Sequence, residues 1–467
     1  MQWLQMLANI VLVTASLQKS PWPTAGGNSE RQNKSPFFLS GTPLAKIAQT
    51  ATWNPCSATD STTTVTTCYF NSFLLANSHG VLLHYSSVLG LNARSVSNLS
   101  LPLWSMPLGP APSGRCFAFS STDGGADDDV ITALAVDSDA RTVSAYVLAS
   151  TNTKSPSGRE KPAVMLSNVD FFSCFVQLNS KSIMFATQTS SQPPSLHFIL
   201  PMSSASAAVV TLPLKPPFSG CALKTERDPV AHHDHLYIFY ECGDAAATIL
   251  AAYTVTLPGS SALHDEGPPP SATLLWHGVV GPDFNDYAAT RTRLATTVGP
   301  SFLFWDTNGA QVQSEKKIGA YAAADGTLLF EAPITSTGNM GGSLATFLDA
   351  SLNYAYVGAA AGGGGNISLV TSIGTTKWTT HIGDVGSTLL FASAVLTQSS
   401  NFLVLHYGLP GGLNTLAVVD AMTGELKILN EGTMSILQPN AANPILIADD
   451  EVIVWLGGSN QIMHLTK

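Results

Sequence analysis

Three histidines and one aspartate stand together in the middle of the chain and are the residues best suited to bind a metal ion. The run is His232-His233-Asp234-His235. In an extended segment, His233 and His235 would share one face, where two imidazoles could hold a transition metal. The alternative is a solvated turn between the first two strands of one small sheet. No third ligand follows at a fixed spacing, so the run alone does not predict a metal site.

Two further runs offer oxygen atoms or backbone amides to a ligand. The run Asp123-Gly-Gly-Ala-Asp127-Asp128-Asp129 supplies the hard oxygen ligands that calcium prefers. It lacks the alternating ligands and the closing glutamate of a calcium-binding loop, which favours a solvated turn. The run Gly362 to Gly365 is not followed by Gly-Lys-Ser/Thr, so it predicts a hairpin turn rather than a phosphate loop.

The six cysteines are an even number, as expected for an oxidising compartment. We expect the pairs Cys56–Cys68, Cys116–Cys174 and Cys221–Cys242. Cys68, Cys116, Cys174 and Cys221 are spaced by 48, 58 and 47 residues, which suggests that each marks the first strand of one repeat. Buried free cysteines acting as small core residues are the alternative.

Three Asn-x-Ser sequons are candidate sites of N-glycosylation. They begin at Asn33, Asn98 and Asn366, all in segments that we predict to be loops or strand starts. Serine and threonine are frequent in this chain, so some of these sequons are expected by chance.

One short pattern occurs three times between residues 319 and 431 and indicates how the chain is organised. Each copy has a run of small or apolar residues, a turn glycine and a bulky residue four positions later. The copies are Gly326 with Phe330, Gly374 with Trp378, and Gly424 with Ile428. The glycines are 48 and 50 residues apart. A period near fifty, with a strand on each side of a glycine turn, predicts a radial array of small sheets, a β-propeller.

The same stretch resembles the repeat of quinoprotein alcohol dehydrogenase-like propellers, the pyrroloquinoline quinone repeat. The matching residues are Tyr354-Ala-Tyr356-Val357-Gly358, then Leu369, Gly374 and Trp378, and the segment Leu416 to Glu425. The segment Trp22 to Arg31 is similar to the stretch that precedes the propeller in this superfamily. The resemblance implies the blade framework, with the bulky residues docking one blade onto the next.

The catalytic features of the dehydrogenases are not carried over by this resemblance. Those enzymes usually hold their quinone with a vicinal cysteine pair, a tryptophan floor, a calcium ion and an aspartate base. This sequence has no adjacent cysteines, and no metal ligand or base matches residue by residue. We therefore predict no catalytic residue, no metal ligand and no bound cofactor.

The N-terminus resembles a secretory signal. Trp3 to Ala15 is an almost unbroken apolar run that is too short to span a bilayer, with Val13 and Ala15 as small residues before a cleavage point. No Lys or Arg precedes it, so an apolar strand or anchor is the alternative. We predict a signal peptide over 1–16, a leading segment over 17–41 and the propeller over 42–467. No later run is long and apolar enough for a transmembrane helix.

Composition and charge narrow the class of partner. Only 11% of residues are charged, against about 25% in an average soluble protein, and 45% are hydrophobic. The net charge is −10 and the sequence shows no basic patch, so we do not expect the chain to bind nucleic acid.

We predict an all-β fold, an eight-bladed propeller, with seven blades as the alternative. The blades are expected to close at Trp104, Ser167, Leu212 to Leu214, Trp276, Phe330, Trp378 and Ile428. The strands Pro444 to Ala448, Glu451 to Leu456 and Gln461 to Thr466 form three quarters of the last sheet. A strand from Thr42 to Gln49 is expected to complete it and so to remove an exposed edge.

Two functions of different classes are compatible with these features. The first is a non-enzymatic scaffold, secreted or in the endomembrane lumen, that binds a protein, peptide or glycan. The second is a diverged quinone- or metal-dependent oxidoreductase. The repeat predicts that Trp378 is largely buried against the neighbouring sheet, with Phe330 and Ile428 in equivalent places; a quinone or sugar platform would instead leave Trp378 available to a ligand.

Overall fold

The structure is a computed structural model of the 467-residue chain, and it describes the β-strands and the tighter connections between them. The described residues are 39–43, 46–52, 75–76, 81–86, 90–95, 98–99, 102–106, 117–121, 129–137, 140–149, 164–173, 175–179, 182–203, 206–223, 229–243, 247–256, 270–282, 295–298, 302–306, 317–333, 346–348, 353–358, 365–371, 373–382, 390–396, 402–409, 413–435, 445–448, 451–456 and 461–467. The predicted signal peptide, Asn33 and the segment Trp22 to Arg31 lie outside them.

The described residues form 34 strands in eight antiparallel sheets, which we number in chain order. The first strand of the chain, β1 (Lys46–Thr52), belongs to the last sheet. Sheet 1 contains β2 (Leu75–Ala76), β3 (Val81–Ser86), β4 (Gly90–Ser95) and β5 (Pro102–Met106). Sheet 2 contains β6 (Phe117–Ser121), β7 (Asp129–Asp137), β8 (Thr142–Ala149) and β9 (Val164–Ser167).

Sheets 3 and 4 each have their first strand in two pieces, both pairing with the same second strand. Sheet 3 contains β10 (Phe171–Phe172), β11 (Val176–Asn179), β12 (Ser182–Gln188), β13 (Ser195–Ser203) and β14 (Ser206–Pro213). Sheet 4 contains β15 (Cys221–Leu223), β16 (Val230–His232), β17 (His235–Cys242), β18 (Ala247–Thr256) and β19 (Ser271–Pro282).

The remaining sheets have four strands each in the described part of the chain. Sheet 5 contains β20 (Ala295–Val298), β21 (Phe302–Asp306), β22 (Lys317–Ala322) and β23 (Leu328–Pro333). Sheet 6 contains β24 (Thr346–Leu348), β25 (Asn353–Gly358), β26 (Gly365–Thr371) and β27 (Thr376–Ile382). Sheet 7 contains β28 (Leu390–Leu396), β29 (Phe402–Leu409), β30 (Leu413–Asp420) and β31 (Leu426–Ser435). Sheet 8 contains β1 with β32 (Ile445–Ala448), β33 (Glu451–Leu456) and β34 (Gln461–Thr466).

In sheets 1 to 7, the strands pair in sequence order, so each sheet is a meander with its first and last strands at opposite edges. The first strands β6, β11, β16, β20 and β24 contact one another in that order, one from each of sheets 2 to 6. This row of first strands is the inner edge that a propeller requires, and the last strands form the outer edge. The chain is therefore all-β and propeller-like.

The N-terminal strand completes sheet 8 through antiparallel pairing with the C-terminal strand. Lys46 pairs with Thr466, and Thr52 pairs with Gln461. The observed strand lies three to four residues later than the predicted span, Thr42 to Gln49. This pairing covers the edge that β34 would otherwise expose.

The hydrophobic core lies between neighbouring sheets. All five residues of Leu236-Tyr-Ile-Phe-Tyr240 in β17 are buried, because the two faces of this strand pack against different sheets. One group of contacts joins sheets 3 and 4, and another joins sheets 4 and 5. The nearly continuous apolar character of this strand was the signal that predicted burial on both faces.

Polar contacts also tie sheets 2 and 3 together. Asp170 lies between β9 and β10, forms an ion pair with Arg141 and accepts hydrogen bonds from the backbone N–H and Oγ of Ser190. Gln188 in turn reaches from sheet 3 to sheet 4, where its Oε1 accepts a hydrogen bond from the Leu223 N–H at 2.7 Å. These contacts fix the connections between strands against the neighbouring sheets.

Within the described ranges, no helix has the length and hydropathy needed to cross a membrane.

Candidate functional site

The repeat positions form a contact that recurs between sheets at the outer edge of the molecule. The turn between β22 and β23 of sheet 5 carries Gly326, with φ at 72°. A Cβ placed on this glycine would lie 2.6 Å from Cδ2 of Trp276, which belongs to β19 of sheet 4. Nε1 of Trp276 donates a hydrogen bond to the Ala323 carbonyl oxygen at 2.9 Å. The turn of one sheet thus sits on the indole of the preceding sheet.

The same contact is found in the next two sheets. A Cβ on Gly374 of sheet 6 would lie 2.9 Å from the Phe330 ring of sheet 5, and a Cβ on Gly424 of sheet 7 would lie 2.8 Å from the Trp378 ring of sheet 6. Both glycines have positive φ, 80° and 77°. Nε1 of Trp378 donates to the Ala421 carbonyl oxygen at 3.1 Å. The spacing of about fifty residues is therefore the step from one turn to the next.

The predicted burial of the bulky residues is only partly correct. Trp276 is 7% exposed, whereas Trp378 and Phe330 are half-buried. Ile428, predicted to be equivalent to them, is 39% exposed, and its neighbour Leu429 is buried instead. The prediction for Ile428 was wrong because it assumed that the residue four positions after the glycine always points toward the next sheet.

A β-bulge explains this difference. In sheets 1, 4, 5 and 6, the extra residue of the bulge comes directly before the bulky residue, so Trp104, Trp276, Phe330 and Trp378 oppose Ala93, Ala252, Ala320 and Leu369. In sheet 7, the extra residue is Leu429, which comes after Ile428. Since one residue of shift reverses the face of a side chain, Leu429 takes the inward position there.

The histidine cluster forms a tight turn rather than an extended segment. His232 pairs with His235 at the ends of β16 and β17, and His233 has a positive φ of 52°. The His232 and His233 rings contact each other with centroids 4.1 Å apart, and Asp234 lies 3.7 Å from His235. The geometry with His233 and His235 on one face of a strand is therefore not formed. In the described part of the chain, no three His, Cys, Asp or Glu side chains are grouped to hold a metal ion.

A different histidine, His197 of β13, lies in a buried polar network. Its Nε2 shares a hydrogen bond with Thr187 Oγ1 at 2.8 Å, and its Nδ1 shares one with Thr211 Oγ1 at 3.0 Å. The ring also contacts Phe185, with centroids 5.0 Å apart. Desolvation by burial lowers the pKa of His197 to about 4. The sequence motifs did not predict this role for His197; its only signal is a histidine inside the apolar run of β13.

Stability should therefore fall as the pH is lowered from about 6.5, the ordinary value for histidine, toward about 4. In that range the unfolded chain binds a proton at His197 and the folded chain does not, so acid favours unfolding by up to about 3 kcal/mol. We expect His197→Gln to reduce the pH dependence of the denaturant midpoint between about pH 4 and about pH 7. The exposed His277 supplies the control, His277→Gln; an equal change in both variants would contradict the assignment.

The one disulfide between described cysteines joins Cys221 and Cys242, one of the three pairs expected from the sequence. The two residues are register partners in β15 and β17 of sheet 4, with Cα atoms 4.1 Å apart. Closing a loop of this size contributes about 3 kcal/mol by restricting the unfolded chain. Cys56, Cys68, Cys116 and Cys174 lie outside the described residues, so the other two pairs remain predictions.

The other candidate residues fall on connections and strand ends. Asn98 is an exposed residue in the connection between β4 and β5, and Asn366 is the second residue of β26. Of the aspartate run, only Asp129, the first residue of β7, is described, and Gly365 begins β26. Glycosylation at Asn33, Asn98 and Asn366 therefore stays a prediction.

A band of exposed apolar side chains runs along the outer edge of sheets 4 to 7. We call it the outer apolar band, and its residues are Leu275, Leu328, Leu329, Ile373, Met422 and Ile428. Most of these residues lie beside a docking contact: Leu275 and Leu329 precede the docking residues Trp276 and Phe330, and Ile373 precedes Gly374, which contacts Phe330. Met422 lies in the turn of Gly424, which contacts Trp378.

Comparisons with known proteins show the fold of this chain and no more. No protein-family model matches the chain, and the comparison with curated proteins finds no match. Among solved structures, it is similar to the quinohemoprotein alcohol dehydrogenase from Comamonas testosteroni, with 10% identity, a TM-score of 0.53, and coverage of 97% of this chain and 82% of the enzyme. It is also similar to a quinohemoprotein alcohol dehydrogenase from Pseudomonas putida HK5, with 10% identity, a TM-score of 0.52, and coverage of 96% and 80%. The chain therefore has the β-propeller fold of the quinoprotein alcohol dehydrogenase type.

Proposed function

We propose that this chain is a non-enzymatic interaction scaffold, an eight-bladed propeller that binds a protein, peptide or glycan. The eight sheets of the described residues and the pairing of β1 with β34 support eight blades. The N-terminal apolar run and the Cys221–Cys242 disulfide support secretion or residence in the endomembrane lumen.

The outer apolar band is the observation that carries this proposal. Single exposed apolar residues are ordinary, but exposed apolar residues on the last strands and turns of four successive sheets are more typical of an interaction site. Ile373 and Met422 are 72% and 71% exposed, and each lies in a turn that the docking contact holds in place. A preformed surface of this kind costs little conformational entropy when a partner binds.

The second candidate is an oxidoreductase with a quinone or metal, because two of the similar structures, each with a TM-score above 0.5, are quinohemoprotein alcohol dehydrogenases. The tryptophans of the repeat do not fit the floor of a quinone site. The Trp276 and Trp378 rings pack on turn glycines of the next sheet and donate their N–H groups there. The Trp305 ring covers Gly319 of its own sheet and is fully buried.

Absorbance, metal content and activity of protein purified from its native host distinguish the two functions. A scaffold should show no quinone absorbance and no metal in stoichiometric amount, and it should not reduce an artificial electron acceptor in the presence of alcohols. A stoichiometric quinone or metal, together with alcohol-dependent reduction of the acceptor, would establish the oxidoreductase instead.

A further inference from the structure

We propose that the hairpin between β16 and β17 carries a transition-metal site, in which His232 and His235 bind one ion such as Zn²⁺ or Ni²⁺. This pair is not the one that an extended segment would form, which is His233 with His235. The inference goes beyond the proposed function and does not depend on it, because a scaffold and an oxidoreductase could each carry such a site.

The pairing of the two strands places both histidines on the same face of sheet 4. His232 and His235 are register partners at the end of the hairpin, two residues beyond the partners Val230 and Tyr237. Side chains two residues apart on a strand point to the same face, and Val230 and Tyr237 both pack in the core between sheets 4 and 5. His232 and His235 therefore share the face of the hairpin that is turned toward sheet 5.

This arrangement suits two imidazoles that bind one ion. Register partners in an antiparallel pair have Cβ atoms about 5 Å apart, and metal–nitrogen bonds of about 2.0 to 2.1 Å let both rings reach a shared ion from that separation. The His232 ring lies against the ring of His233, so it must turn about its Cα–Cβ bond to bind the ion. The His235 side chain is 29% exposed, which gives the ion a path from solvent.

Two groups beside the pair favour a bound cation. A carboxylate oxygen of Asp234 lies 3.7 Å from Nε2 of His235, so a negative charge stands next to the site. Tyr237, whose ring centroid is 6.4 Å from that of His235, is fully buried, and its hydroxyl has no hydrogen-bond partner among the residues that the structure describes. Burial and the Asp234 charge raise the pKa of this hydroxyl. An unpartnered buried hydroxyl is costly, which is explained if a group bound beside the histidines accepts its hydrogen bond.

The type and number of ligands define the ion. Imidazole nitrogen suits Zn²⁺, Ni²⁺ and Cu²⁺, whereas Mg²⁺ and Ca²⁺ prefer oxygen ligands. Structural zinc sites use four protein ligands and this site offers two, so the ion exchanges with solvent and dialysed protein would lose it. The remaining coordination positions are open to water or to an atom of a ligand. They lie at one end of the inner edge of the propeller, where β16 contacts β11 and β20.

Substitutions in the hairpin test the pair directly. His232→Gln and His235→Gln each remove one imidazole. His233→Asn is the matched control within the same turn, because asparagine tolerates the positive φ of 52° at that position. His277→Gln is the control for an exposed histidine elsewhere. The measurement is isothermal titration calorimetry of the untagged, metal-free chain with Zn²⁺, Ni²⁺ and Mg²⁺ up to about 1 mM, with thermal unfolding to verify that each variant is folded.

We expect one Zn²⁺ or Ni²⁺ per chain and no binding of Mg²⁺. The dissociation constant should rise at least about tenfold in His232→Gln and His235→Gln and stay within about twofold in His233→Asn and His277→Gln. The bound ion should also raise the unfolding temperature of the wild-type chain, because it binds the folded state. If the buried His232 cannot be replaced without unfolding, the partly exposed His235 decides the outcome.

Three results would overturn the inference. The first is no saturable binding of Zn²⁺ or Ni²⁺ up to about 1 mM. The second is equal affinity in all four variants, which would show an adventitious ion only. The third is loss of binding in His233→Asn but not in His232→Gln, which would identify the pair of an extended segment instead.

Discussion

Trp276→Ala is expected to lower the free energy of unfolding by about 3 to 5 kcal/mol, a large share of a typical stability of about 5 to 15 kcal/mol. The indole is 7% exposed, packs on Gly326 and donates a hydrogen bond to the Ala323 carbonyl. Truncation removes these contacts and leaves a cavity between sheets 4 and 5. Denaturant unfolding followed by circular dichroism measures the loss.

The other docking positions supply a graded control series. Trp378→Ala should cost less than Trp276→Ala because Trp378 is only half-buried, although it makes the same kind of contact with Gly424. Ile428→Ala should change stability by about 0.5 kcal/mol or less, because that side chain is exposed. A larger effect at Ile428 than at Trp276 would contradict the docking geometry.

Gly326→Ala should destabilise the fold by about 2 to 5 kcal/mol through two separate effects. A residue with a Cβ at a φ of 72° costs about 1 to 2 kcal/mol, and the new methyl group would lie 2.6 Å from the Trp276 ring. The free energy of unfolding is again the measured quantity. Gly243→Ala is the matched control, because nothing lies within 4 Å of the added Cβ at that exposed position.

A double variant separates steric contact from backbone strain. If the Gly326 turn sits on Trp276, then Gly326→Ala should cost clearly less in a chain that already carries Trp276→Ala, because the clash is gone and only the strain at positive φ remains. If the losses of unfolding free energy in the two single variants simply add up in the double variant, the two residues do not touch.

The sequence predicted the strands and the turns between them well, because the residues that mark each of them lie close together in the chain. A turn glycine with positive φ has few substitutes, so Gly326, Gly374 and Gly424 mark the turn between third and fourth strands in three sheets. Runs such as Leu236 to Tyr240 are apolar at every position because both faces of the strand are covered. Cys221 and Cys242 were paired correctly, and they are register partners on two paired strands of one sheet.

What the sequence could not predict depends on register and on distant partners. Ile428 and Trp378 occupy the same position after a glycine, yet a bulge on the other side of Ile428 turns it outward. The buried hydrogen bonds of His197 are made with Thr187 and Thr211, which lie on neighbouring strands and are 10 and 14 residues away in the sequence. For the histidine cluster, the turn between two strands given as the alternative is the one observed, although nothing local in the sequence marks the positive φ of His233.

The central question is whether the aromatic residues of the repeat join neighbouring sheets or bind a cofactor. The most direct test is to titrate the folded protein with pyrroloquinoline quinone and to follow its tryptophan fluorescence. The rings of Trp276 and Trp378 are already packed against turns of the next sheet. We therefore predict no saturable quenching beyond the optical absorption of the added quinone. Saturable, stoichiometric quenching that is lost in Trp378→Ala, with little loss of stability in that variant, would show instead that the repeat aromatics bind a cofactor.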